Sequence, residues 1–369
     1  MKRRMPVPVL PQQTGLIVII LLLGTVLTLL AGTYGGVNKF LNSNTIMQVI
    51  TNGVVFAIMA VGVTMVIITG GIDLSVGATY ALSGVMMAMF LRQYPVMMDA
   101  LVRHFPLLRG FLMAHGTGMM VLFGLVVALG VGVLCGLING IAVVKLKVHP
   151  FIITLGTMWI FRGIAFVSSK AESILIPDSL TSITKSTLGF GHQVYPVPML
   201  VMLVVAIIGE VYLLKTIMGR SVYAVGGNAD AARYCGLPIN RSLVGVYVIA
   251  GLTAGIAAFV GATYYGAACC LDADGYELYV IASAVVGGAS LMGGKGSALG
   301  AMLGAMLIVL IKQSITTLQL DQNYQWIIVG CAIVVAVVLD RLGADYSARR
   351  MARAASMRAD IEMDTSVIT

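Results

Sequence analysis

The chain has 369 residues, 59% of them hydrophobic and only 10% charged, with a mean hydropathy of +0.98. Soluble domains carry roughly 25% charged residues, so this composition cannot cover a globular surface in water, and lipid must solvate much of it. The net charge of +8 would suit nucleic acid, but the basic residues stand in short loops between apolar runs without interleaved surface aromatics; they are topology signals, and nucleic acid is excluded as a partner.

Residues 1–14 are polar and proline-bearing, lack the apolar core of a signal peptide, and form an N-terminal tail. From 15 to 341 the chain is a single membrane domain. A spanning helix needs roughly 20 mostly apolar residues. The stretches 15–34, 46–69, 74–91, 117–144, 150–168, 197–215, 242–266, 276–292, 296–318 and 324–340 are the candidates. The eighth is short and rich in Gly, Ala and Ser, which fits a half helix buried among neighbours. Residues 342–369 are charged and aperiodic, a C-terminal tail. The expected fold is an all-α polytopic membrane protein of about ten transmembrane helices.

With both termini inside, most of the 23 Lys and Arg fall on the inner side. Only Lys39, Arg92, Arg103, Arg109, Lys170 and Lys185 lie outside, and Arg162 and Lys312 lie within spans. That bias is the positive-inside pattern. It leaves 92–116 and 169–196 as long outer connectors.

Three glycine-bearing loops fall on the inner side. Gly70-Gly71-Ile72-Asp73-Leu74-Ser75-Val76-Gly77 joins the second and third spans: the glycines can end one helix, and Asp73 or Ser75 can cap the next. An aspartate at this boundary is also a candidate gate residue. Gly287-Gly288 through Gly293-Gly294-Lys295 repeats the punctuation. It is not a phosphate loop, which would need Gly at Ala289 and Ser or Thr at Gly296. The third loop, 216–241, encodes an isolated short helix. Asn228 is an N-cap, Asp230 complements the helix dipole, Ala231 and Ala232 propagate, Gly236 stops the helix and Pro238 prevents a restart. Two turns of helix are unstable alone in water, so the membrane domain or a partner protein must hold them.

Asp230-Ala231-Ala232, followed by Arg233 and later Gly236, resembles the "EAA…G" coupling loop of binding-protein-dependent ABC permeases, with Asp for Glu. The wider run of Gly70–Gly77, Gly226-Gly227-Asn228 through Gly236, Gly275-Tyr276-Glu277-Leu278 and Gly287–Gly296 is similar, in order and spacing, to the ribose/xylose/galactoside permease family over roughly 45 to 341. The resemblance implies a fold of the vitamin-B12-importer type in the bacterial inner membrane. It also implies a second permease subunit (the same chain or a close paralogue), a cytoplasmic ABC ATPase and a periplasmic sugar-binding protein. The cargo would be a monosaccharide; nucleosides or branched-chain amino acids are the alternatives within the same architecture, and an ion-coupled secondary transporter is the alternative outside it. Two departures bear on the cargo: Ala267–Asp274 replaces a polar, proline-containing segment, and 92–116 is long for the family.

Within the spans, Asn139, Thr154, Arg162, Tyr264, Tyr265 and Gln313 are candidates for a substrate path, although polar residues there also bond neighbouring helices. Arg162 would either snorkel outward or pair with Glu210 or Asp73, and Glu210 and Lys312 would snorkel. The five cysteines are scattered without CxxC spacing and the four histidines are dispersed. No metal, cofactor or catalytic set is expected, and ATP hydrolysis is assigned to a partner subunit.

Overall fold

Inside a bilayer every backbone N–H and C=O must be paired within the protein, so long apolar runs become helices. The computed structural model describes residues 12–34, 37–105, 109–187 and 195–328, with 330, 331, 334, 335 and 338 beyond them. Its helices are α1 (Gln12–Leu30), α2 (Ser43–Ile68), α3 (Val76–His104), α4 (Arg109–Leu146), α5 (Pro150–Ser169), α6 (Asp178–Thr184), α7 (Pro196–Lys215), α8 (Ile217–Gly227), α9 (Ala229–Tyr234), α10 (Ile239–Tyr265), α11 (Tyr276–Val286) and α12 (Ala298–Thr317). Eight of these, α1–α5, α7, α10 and α12, are long and apolar enough to cross a membrane. They coincide with the first seven expected spans and the ninth, and the chain is an all-α polytopic membrane protein. The tenth expected span lies partly outside the described residues. So do the 342–369 tail, wholly, and the 1–14 tail as far as residue 11.

The eighth expected span resolves into α11, whose 11 residues are too few to cross. The outer connectors differ from expectation. Much of 92–116 is helical, because α3 continues to His104 and α4 already begins at Arg109. In 169–196, β3 (Ile174–Leu175) pairs antiparallel with β4 (Ala267–Ala268), with Ile174 opposite Ala268, and α6 follows. A further two-stranded ribbon joins β1 (Thr33–Tyr34) to β2 (Val37–Asn38).

The core is centred on α2, which is buried all round from Gly53 to Ile68, as an apolar helix without a polar face must be. Its principal neighbours are α10, α12, α11 and α7. The tightest crossing joins α4 to α10 through small residues. Gly132, Gly136 and Gly140 repeat every four residues along one face of α4; a Cβ on Gly132 would strike the Gly251 carbonyl, and one on Gly136 the Tyr247 carbonyl. Lipid supplies no hydrophobic drive for helices to associate, so close backbone approach of this kind holds them.

Two helices start inside the bundle. Gly70, at φ +79°, ends α2, and the chain runs non-helically to Ser75 before α3 begins. Along α10 this segment passes Tyr247, whose hydroxyl faces Gly71, while Tyr80 reaches Gly261 near the far end. Gly77, in the first turn of α3, meets the Ala273 carbonyl and the Glu277 carboxylate at the start of α11. Interrupted helices of this type are how transporters bring backbone polarity into the membrane interior.

Candidate functional site

At one end of the bundle the three glycine loops converge. The Gly294 N–H donates to the Ile68 carbonyl at the end of α2 (2.8 Å), and the Tyr223 hydroxyl of α8 donates to the Gly296 carbonyl (2.7 Å). A Cβ on Gly226 would collide with the Ile68 carbonyl, and one on Gly293 would crowd the Gly226 carbonyl. Gly293 and Gly294 both adopt positive φ. Gly226, Gly227, Gly293 and Gly294 thus form one backbone-to-backbone junction beside the α2 terminus. Gly287 is buried where α11 crosses Gly300 of α12, Gly288 adopts φ +100°, and Lys295 is exposed. Glu210 does not snorkel: its Oε2 accepts the Ala298 and Leu299 N–H groups (2.8 and 3.2 Å), capping α12 where the helix dipole favours an anion.

From this junction α9 projects. Asn228 caps it by accepting the Ala231 N–H at 2.9 Å, and Gly236, at φ +75°, ends it. Ala232 is buried at 4% exposure, whereas Ala231, Arg233, Tyr234 and Cys235 are exposed, Tyr234 at 91%. Asp230 and Arg233 form a solvent-exposed pair at 3.6 Å, a geometry that contributes little to stability. The bundle therefore holds α9 by the Ala232 side and leaves the Tyr234 side open.

Inside the bundle the interrupted segment is pinned by polar contacts. Asp73, 3% exposed, accepts the N–H and hydroxyl of Ser75 (2.8 and 2.7 Å). Ser75 itself makes no capping bond to α3. Asn139 of α4 donates to the Ser75 hydroxyl at 2.7 Å, and the Thr154 hydroxyl of α5 donates to the Ile72 carbonyl at 3.1 Å. Arg162 neither snorkels nor meets Glu210 or Asp73. It is 7% exposed and donates to the carbonyls of Cys270, Asp272 and Ala273 (2.7, 2.6 and 3.3 Å), with Asp274 at 3.8 Å. A guanidinium has five donors in a fixed fork, and here it fastens the connection that precedes α11.

That connection walls a chamber of about 540 Å³ at the opposite end of the bundle. Tyr265 and Gln313 line it; Asn139, Thr154, Arg162 and Tyr264 do not. Tyr264 instead packs edge-on against Tyr195 and Tyr265, with Lys185 over its ring. Sequence reasoning did not include Asn52, Asp272 or Lys312 among the substrate-path candidates, although all three line the chamber. Lys312 does not snorkel: its Nζ lies 4.8 Å from the Tyr279 ring centroid and 5.4 Å from that of Phe56. The adjacent Lys312-Gln313 pair in an apolar run was the available signal. Asp272, on the connection outside the spanning helices, has its carboxyl raised by burial, partly offset by the Cys269 N–H and Arg162. Among the described residues no cluster of His, Cys, Asp or Glu is arranged to hold a metal.

Comparison with known proteins places this geometry. Residues 45–337 match the family profile described as "Branched-chain amino acid transport system / permease component". The D-allose transport system permease protein AlsC of Escherichia coli (strain K12) is 35% identical over 324 residues, 86% of this chain and 90% of its own length. The ribose import permease protein RbsC of the same strain is 31% identical over 332 residues (90% and 94%), and the fructose import permease protein FrcC of Rhizobium meliloti is 30% identical over 336 residues (90% and 85%). No solved structure matches. With interrupted helices inside a bundle of membrane-length spans and a family match running through nearly all of them, the chain belongs to this family of ABC-transporter permease components.

Proposed function

We propose that this chain is the membrane-spanning subunit of an importer that moves a monosaccharide, delivered by a periplasmic binding protein and driven by a separate cytoplasmic ABC ATPase. The observation that carries the reading is the division of the bundle into two ends. One presents a short capped helix with its outer face open; the other opens a polar and aromatic chamber. The first end is cytoplasmic, together with both termini, in keeping with the positive-inside pattern, and the second faces the periplasm. Two copies of the chain, or the chain and a close paralogue, form the pathway.

The α9 loop is the coupling element: Asp230, Ala231, Arg233 and Gly236 with the exposed Tyr234 meet the ATPase, and Ala232 anchors the loop to the bundle. The glycine junction relays the movement, because Gly226, Gly293 and Gly294 bear directly on the end of α2. Gly70, Gly71, Asp73 and Ser75 form the inner gate. The task of such a subunit is to hold two packings of similar energy that nucleotide and binding protein bias in turn.

The family profile is described for branched-chain amino acids, whereas the relatives cited above are named for allose, ribose and fructose; at 30–35% identity over most of the chain these support a sugar. Competition experiments on uptake by the assembled transporter separate the two. Unlabelled D-allose, D-ribose or D-fructose should displace the labelled substrate while leucine and nucleosides do not, and displacement by leucine alone would transfer the chain to the amino-acid branch.

A further inference from the structure

Packing does not account for the polar inventory of the chamber. Lys312 rests on two aromatic faces, yet among the described residues no carbonyl, hydroxyl or carboxylate accepts a hydrogen bond from it. An ammonium brings three donors, and a cation left without acceptors in a membrane protein is costly. Asp272 spends one carboxylate oxygen on the Cys269 N–H (2.8 Å) and, among the described residues, has no hydrogen bond at the other. Asn52 and Gln313 are each half used: Asn52 accepts from the Tyr265 hydroxyl (3.4 Å), leaving its amide donors, and the Gln313 amide donates to Thr317 (3.3 Å), leaving its carbonyl. The chamber's volume of about 540 Å³ lies within the ~300–1,000 Å³ of small-molecule sites.

We propose that the chamber is a holding site for one neutral polyhydroxylated ring, gripped between Lys312 and Asp272. One cation and one anion cancel, so the site selects against net charge in the ligand. Every sugar hydroxyl both donates and accepts, which matches a wall offering free donors on Lys312 and Asn52 and free acceptors on Asp272 and Gln313. The ring of Tyr276, on the same wall, supplies an apolar face for the C–H side of a sugar. The identity of the ligand as cargo rests on the importer reading above; the site itself rests on these groups.

Cys269 lies on the chamber wall and provides a native reporter. In the full-length chain in nanodiscs, with the exposed Cys235 and Cys331 changed to Ser, alkylation of Cys269 by N-ethylmaleimide is followed by peptide mass spectrometry. D-Allose, D-ribose or D-fructose at saturating concentration should slow the reaction several-fold and leucine should not. Lys312→Met and Asp272→Asn should each abolish the protection, and Lys312→Gln, which restores a donor, should recover part of it. A sugar-free alkylation rate equal to that of the parent chain shows that the chamber around Cys269 is intact in a variant, so that its loss of protection is loss of binding. Protection by leucine and not by sugars, or protection that survives both Lys312→Met and Asp272→Asn, would overturn the assignment. The two readings fail separately: ATP-driven sugar uptake by the assembled wild-type transporter without any protection of Cys269 removes the holding site and leaves the importer standing, whereas protection without uptake does the reverse.

Discussion

Arg162 and Glu210 solve the same problem in opposite senses. Each is a charge placed in an apolar span, and each spends its hydrogen bonds on backbone, Arg162 with the Asp274 carboxylate farther off at 3.8 Å. The Arg162 fork takes three carbonyls of the 270–273 connection, and Glu210 takes two N–H groups at the start of α12. Removing either leaves buried backbone groups unpaired, at about 1–3 kcal/mol for each such group. Arg162→Met is therefore expected to lower the thermal midpoint of the detergent-solubilised chain by several degrees, and Arg162→Lys, which lacks the fork, to recover only part of the loss. Glu210→Ala should cost about 2 kcal/mol or more, since two N–H groups at the α12 terminus lose their acceptor, read in the same assay; a midpoint equal to wild type would mean that the α12 terminus finds other acceptors. Neither role was legible in the sequence. The charges announced themselves by standing in apolar runs, but their partners are backbone groups 108–111 and 88–89 residues away, which no side-chain pattern marks; even Asp272 and Asp274, on the segment that Arg162 grips, do not reveal that its carbonyls are the acceptors. Lys312 was misread for a related reason, since its nearest partners are the rings of Phe56 and Tyr279, which an apolar span hides among its hydrophobic residues.

Among the elements, apolar length alone was enough to locate eight spans, because a membrane allows few alternatives to a helix. Helix ends were less legible. The chain beyond residue 91 looked like a connector because it turns polar, yet α3 continues to His104, with Arg103 paired to Asp99 one turn away. The start of α3 inside the bundle was hidden too, since Gly70–Ser75 serves equally as a surface turn; only contacts with Asn139 and Thr154 reveal its depth. In contrast α9 was written locally: cap, dipole partner and stop all lie within nine residues, and the structure has Asn228 and Gly236 in those positions. What local rules could not tell is which side faces the bundle. It is the Ala232 side, so Ala232→Arg should abolish uptake by undocking α9 while membrane insertion persists. Tyr234→Ala leaves the docking intact and should weaken co-purification of the ATPase; unchanged ATPase association in that variant would remove the open face from the coupling role. At the α4–α10 crossing, Gly136→Ala drives a methyl into the Tyr247 carbonyl. Overpacking of this kind costs about 1–3 kcal/mol, again visible as a lower thermal midpoint.

For the whole molecule the account makes this chain a two-ended lever without a motor of its own. Sugar would be held at one end, force would enter at the other, and the glycine junction beside α2 would connect them. Its central claim is that movement of cargo depends on a nucleotide-hydrolysing partner acting through α9. Reconstitution of the purified chain in liposomes, alone and together with its ATPase and binding protein, tests that claim most directly, with accumulation of labelled sugar as the readout. The account predicts accumulation only when ATPase, ATP and binding protein are all present, and none from the chain alone under a proton or sodium gradient. Concentrative uptake by the chain alone under such a gradient would contradict it.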